Sequence, residues 1–389
     1  QASLGLGGEV LSIGVTPFGA SSPTRVTVAS VVGGETGYAY PLTTVRYDSG
    51  SWRLVSERAG SSPAHDQSFG QLNGDGLPDW IGLCDGCAGA SIALGEPGAG
   101  FGEPTDVVCP TFTNGMPGAG DLDGDGLDDL VVPGRSSSWS LPRVEILYSR
   151  PDGTRENRIR LTVPGGHVDQ VRVADFDGDG LRDLAVFAGP RWGSGNTTLH
   201  VIRNRGGRRF DAITHWPGNE WAGALFAAQL DGTPAKELVS LNGLTFGVSP
   251  YGADGMMDSP RFLHAVPSDG SSSGPGPVFF RDLNRDSFDD LVMGTGQSFL
   301  VSLAPGDGTL GESRVEPWPG LVALGDLDGR FGPDAVFLDT DGMISIAFRT
   351  SSGEFAAPFH SGELVRPMSH ARPLLRCADL DRDGREELL

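Results

Sequence analysis

The chain has 389 residues, of which 59 are glycine and 28 proline, a turn-rich composition that excludes an architecture of long helices. Fifty acidic against 29 basic residues leave a formal charge of -21, which repels nucleic acid and anionic membrane surfaces and makes bound cations the natural counterpart. No run of about 18 apolar residues occurs that would insert into a bilayer as a helix, and the 38% hydrophobic residues fall in short regular bursts, which argues against disorder.

Along the chain, residues 9–15, 25–29 and 42–46 read as strands. No basic-then-apolar leader stands ahead of them, so an exported protein would have lost it before Gln1. Next comes Cys84-Asp85-Gly86-Cys87, which suits a zinc half-site, a redox pair or a small disulfide loop. Neither a second CxxC nor paired histidines follow to complete a zinc site, and the pairing of Cys109 and Cys377 stays open.

One nine-residue segment recurs seven times. Copies start at Gln71, Asp121, Asp175, Gln229, Asp282, Asp326 and Asp379, at spacings of 50, 54, 54, 53, 44 and 53 residues. Each is preceded by an apolar strand and followed by another, as in Leu130-Val131-Val132 and Leu184-Ala185-Val186. A period near 50 suits a four-stranded antiparallel blade, and the sequence predicts an all-β fold: one seven-bladed β-propeller over residues 1–389. The last copy ends almost at Leu389, so residues 1–63 are expected to complete that blade by pairing N- and C-terminal strands. The length of that closing unit calls for an extra hairpin or loop there.

In the copy at Asp121 the acidic oxygens stand at positions 1, 3, 5 and 9 (Asp121, Asp123, Asp125, Asp129), with Gly126 at position 6. Flexible oxygen-only coordination favours calcium. An EF-hand would need glutamate at position 12, where Val132 stands. Full sets also occur as Asp175, Asp177, Asp179 and Asp183; as Asp282, Asn284, Asp286 and Asp290; and as Asp379, Asp381, Asp383 and Glu387. Asn73, Asp75 and Asp79 make a weaker set. Thr233 with Pro234, and Arg330, break the remaining two, so about four to five Ca2+ ions are expected. Plain polar turns are the competing explanation of any single copy; a shared spacing argues against it.

These loops, with Phe18-Gly19, Phe101-Gly102 and Phe187-Ala188-Gly189-Pro190 nearby, resemble the FG-GAP/VCBS repeats of integrin α-subunit propellers and their bacterial relatives. The resemblance spans the whole chain. It implies calcium loops on one face, a ligand on the other, and an extracellular or cell-surface setting for adhesion.

Candidate ligand-face residues are Arg135, Trp139, His167, Arg191, Trp192, Trp221 and His370, all in segments away from the acidic loops. Two functions compete: a non-catalytic module recognising a protein or glycan, and a polysaccharide lyase with His167 or His370 as base. No Gly-x-Ser-x-Gly elbow, HExxH or phosphate loop is present, and the negative charge opposes an anionic polymer, so recognition is preferred.

Overall fold

The computed structural model describes residues 9–16, 25–34, 37–48, 51–60, 64–84, 89–96, 100–108, 117–134, 142–164, 167–189, 198–211, 214–216, 224–242, 244–250, 261–265, 276–295, 297–325, 330–338, 343–363, 377–378 and 387–388. Among them every regular element is a strand, and every ladder is antiparallel.

Seven four-stranded sheets are described, each built from strands taken in chain order. They span residues 9–60, 64–108, 118–162, 167–216, 224–265, 278–316 and 321–363. Consecutive pairing of this kind needs only short connections, so each sheet forms from local sequence. Two-stranded pairs join Gly95–Glu96 to Gly100–Phe101 and Cys377–Ala378 to Glu387–Leu388.

The core lies between the faces of neighbouring sheets. Val131, Ile146 and Tyr148 of the third sheet pack with Val171, Leu184 and Val186 of the fourth. Phe246 of the fifth packs with Met293 and Leu300 of the sixth, and Phe299 of the sixth with Phe337 of the seventh. A strand covered on both faces has no solvent side to alternate toward. Accordingly, every residue of strand Asp183–Gly189 is buried.

First strands of successive sheets stand side by side, Gly118–Gly120 against His167–Ala174 among them. That approach requires glycine: a Cβ on Gly120 would come within 2.6 Å of Val173 Cγ1. The acidic loops join the first and second strands of their sheets, so all emerge from the same ends of these inner strands.

Among the described residues the termini show no shared ladder of the kind expected for one closing blade. Strands Glu9–Thr16, Arg25–Gly34, Gly37–Asp48 and Ser51–Gly60 pair only with one another, and among the described residues no ladder joins them to Cys377–Ala378 or Glu387–Leu388. Instead Glu9–Thr16 lies beside both Ala64–Gly70 and Glu387–Leu388. Strands that follow one another in the chain close on their neighbours at little entropic cost, which favours a local sheet over one assembled from chain ends.

Candidate metal centre

Within the loop at Asp121, alternation and two left-handed glycines wrap the backbone around the first carboxylate. Gly124 N–H donates to Asp121 Oδ1 (2.7 Å) and Gly126 N–H to Oδ2 (2.9 Å), with φ of 83° and 88° at these glycines. Leu127 N–H donates to Asp125 Oδ1 at 2.9 Å. The loop at Asp175 repeats the pattern through Gly178, Gly180 and Leu181. As a result Asp121, Asp123 and Asp125, and likewise Asp175, Asp177 and Asp179, each offer oxygens within 4.8 Å of one another.

The two trios are partly buried. Asp123 and Asp177 keep only 9% and 7% of their side chains exposed, and burial raises the Asp177 pKa. Asp123 Oδ1 is buried without a hydrogen-bond partner. A buried, unpartnered carboxylate oxygen on a member of such a trio fits a hard cation with oxygen ligands.

Position 9 plays a different part. Asp129 is fully buried; its Oδ2 accepts Leu122 N–H from its own loop and its Oδ1 accepts Ser149 N–H from the end of the third strand, both at 2.9 Å. Asp183 takes Phe176 and Asn204 in the same way, Asp79 takes Leu72 and Gly95, and Asp290 takes Leu283 and Ala304. Burial pushes these carboxyls up, to about 7 for Asp129 and Asp183 and about 6 for Asp79 and Asp290, against the lowering effect of the two amides. Each fastens loop to blade, and the lone pairs not used by the amides remain for a cation.

Other copies fill themselves. Gln71 Nε2 donates to Leu77 O (2.6 Å) while Gly76 N–H donates to Gln71 Oε1, and Asn73 Nδ2 donates to Asp75 Oδ2. Gln229 Nε2 donates to the carbonyls of Asp231 and Thr233, both at 2.6 Å. In the loop at Asp282, Asn284 Nδ2 turns to Asp286 Oδ2 at 2.8 Å. An amide group supplies there the positive hydrogens that a cation would otherwise replace.

Asp379, Asp381 and Asp383 lie outside the described residues, as do Arg135, Trp139, Arg191, Trp192, Trp221 and His370. Glu387 is placed in the C-terminal strand pair. His167 is described: its Nε2 lies 2.8 Å from Asp169 Oδ1, at the start of strand His167–Ala174. Asp169 is the bulged residue of that strand, and burial raises its pKa. The pair is at the opposite end of the strand from the Asp175 loop, roughly 25 Å away at about 3.3 Å per residue.

Sequence reasoning missed the turn at residues 203–211, which reaches both trios. Asn204 Nδ2 donates to Leu122 O at 2.7 Å, and Arg208 pairs with Asp123 at 2.7 Å. Four arginines in nine residues (Arg203, Arg205, Arg208, Arg209) were the one signal that could have found it.

Residues 121–186, which hold both trios, match the model of the FG-GAP-like repeat family. That segment of the chain carries an FG-GAP-like repeat. The chain is similar in fold to a lectin of Agrocybe aegerita whose structure is described as the structural basis of specific recognition of non-reducing terminal N-acetylglucosamine. The two share 15% identity and a TM-score of 0.62, over 86% of this chain and 92% of the lectin. It is also similar to a protein from Lactobacillus plantarum, at 9% identity and a TM-score of 0.56, over 88% of this chain and 97% of that one. Both likenesses are to propeller folds. Among curated proteins none matches the sequence.

Proposed function

We propose that this chain is an extracellular, calcium-stabilised, non-catalytic recognition module, a closed seven-bladed wheel that binds a glycan or protein on the face opposite the acidic loops. The fold likeness to a lectin supports recognition. No helix among the described residues is long and apolar enough to cross a membrane.

The observation that carries the metal reading is Asp123, a member of the Asp121–Asp123–Asp125 trio whose Oδ1 is buried and unpartnered. Asp121, Asp123 and Asp125 would hold one ion and Asp175, Asp177 and Asp179 another, with Asp129 and Asp183 beneath them. Such an ion would offset the mutual repulsion of the carboxylates and tie each loop down. The Asp282 loop, with its inward amide, ranks below these two, and the Gln71 loop below that.

A second reading, a polysaccharide lyase, draws on the His167–Asp169 pair, since a carboxylate that orients an imidazole is the arrangement of a general base. One experiment separates the two: a glycan array run with calcium and with chelator, beside an assay of uronate polysaccharides for the ultraviolet absorbance of unsaturated products. Calcium-dependent array binding with no absorbance growth supports recognition. Growth that disappears in His167→Ala overturns it.

A further inference from the structure

The turn at residues 203–211 belongs to the fourth sheet yet ends on an acidic loop of the third. Gly206, Gly207 and Arg208 are all left-handed there, with φ of 69°, 60° and 63°. A non-glycine residue holds that conformation only when its surroundings over-determine it. For Arg208 they do: its guanidinium stacks over the Tyr148 ring at 4.1 Å, Nη1 pairs with Glu156, and Nε and Nη2 reach Asp123.

How Asp123 is held decides the meaning of this contact. A guanidinium fork facing a carboxylate commonly takes one oxygen with each N–H. Here Nε (2.8 Å) and Nη2 (2.7 Å) both approach Oδ2, and Oδ1 is left buried and without a partner. The arginine therefore fixes the carboxylate without occupying it. On its other side Arg208 pairs with Glu156, a carboxylate it shares with Arg150, so the guanidinium bridges Asp123 and Glu156.

We propose that Arg208 is a positioning residue for the cation site at Asp121, Asp123 and Asp125: it pins Asp123 by Oδ2, presents Oδ1 to the ion, and so makes a metal loop of one blade depend on the next. The inference rests on the calcium reading above. Asn204, which ties Leu122 O to its own blade, holds the same turn against the same loop.

The test is calcium titration by calorimetry of the whole chain, read against Asp121→Asn, whose lost binding event marks the share of this loop among the acidic loops. Arg208→Gln is expected to weaken that same binding event roughly ten- to a hundredfold, the usual loss when an outer partner of a metal ligand is removed. Arg209→Gln, which removes the same charge from the same turn without touching Asp123, should leave affinity unchanged. Glu156→Gln, which removes the carboxylate at the other end of the bridge, should weaken binding, and it guards against misfolding of the first variant. Unchanged or tighter binding in Arg208→Gln overturns the proposal and marks the arginine as a competitor of the ion. If Asp121→Asn also binds as the parent does, the calcium reading itself fails; if Asp121→Asn loses the ion while Arg208→Gln keeps it, only the positioning role fails.

Discussion

Gln71 and Asp128, 57 residues apart, hold each other across two sheets: Gln71 N–H donates to Asp128 Oδ2 at 2.9 Å, and Asp128 N–H donates to Gln71 O at 2.8 Å. Gln229 and Asp289 repeat the pair at 2.8 and 2.6 Å. Position 8 of one acidic loop thus ties down position 1 of the loop before it. Asp289→Ala should leave the Gln229 amide without its acceptor and cost about 1–3 kcal/mol in denaturant unfolding, whereas Asp289→Asn, which keeps an acceptor oxygen, should cost less.

The buried acid at position 9 should matter more. Asp183→Ala removes the acceptor of Phe176 N–H and of Asn204 N–H at once and opens a cavity. A loss of at least about 3 kcal/mol is expected, read from the midpoint of chemical unfolding. An effect no larger than that of an exposed substitution would contradict the fastening role.

Burial raises Glu237 to about 7 from 4.5, in a loop closed by the Gln229 amide. A raised folded-state pKa means that the native protein binds the proton more tightly than the unfolded chain does. Its stabilising contribution is therefore present at low pH and is lost as pH rises from about 4.5 through 7. Melting temperatures of the chelated protein should fall over that window, and Glu237→Gln should flatten the fall. A rise with pH at this position would reverse the sign.

Arg285 and Ser287 have φ of 63° and 75° where the loops at Asp121 and Asp175 have glycine. The Ser287 N–H bond to Asp282 Oδ2 does not depend on the side chain. Ser287→Gly is expected to raise stability by about 1 kcal/mol, seen as a higher thermal midpoint.

For metal content, Asp123→Asn should remove one equivalent of bound calcium by elemental analysis and lower the melting temperature toward that of the chelated protein. Gln71→Asp should act in the opposite sense, since it exchanges the amide on Leu77 O for a third acidic side chain. Calcium should then stabilise that variant more than the parent.

Much of the molecule is legible in its residues alone. The seven-fold recurrence at a near-constant interval implies an all-β repeat, because only blade-sized units fit it. The carboxylates at positions 1, 3 and 5 meet because alternation turns them to one side and two glycines permit the left-handed turns between them. Alternation and local turns depend on neighbours in the chain, and the sequence by itself determined them. The tertiary structure decided what depends on residues distant in the chain. It gave position 9 a second backbone amide from the end of the third strand, placed Arg208 of one sheet on Asp123 of another, and, among the described residues, paired the strands of 9–60 with one another. Those outcomes follow from which surfaces meet when sheets pack, and no local pattern of residues encodes that meeting.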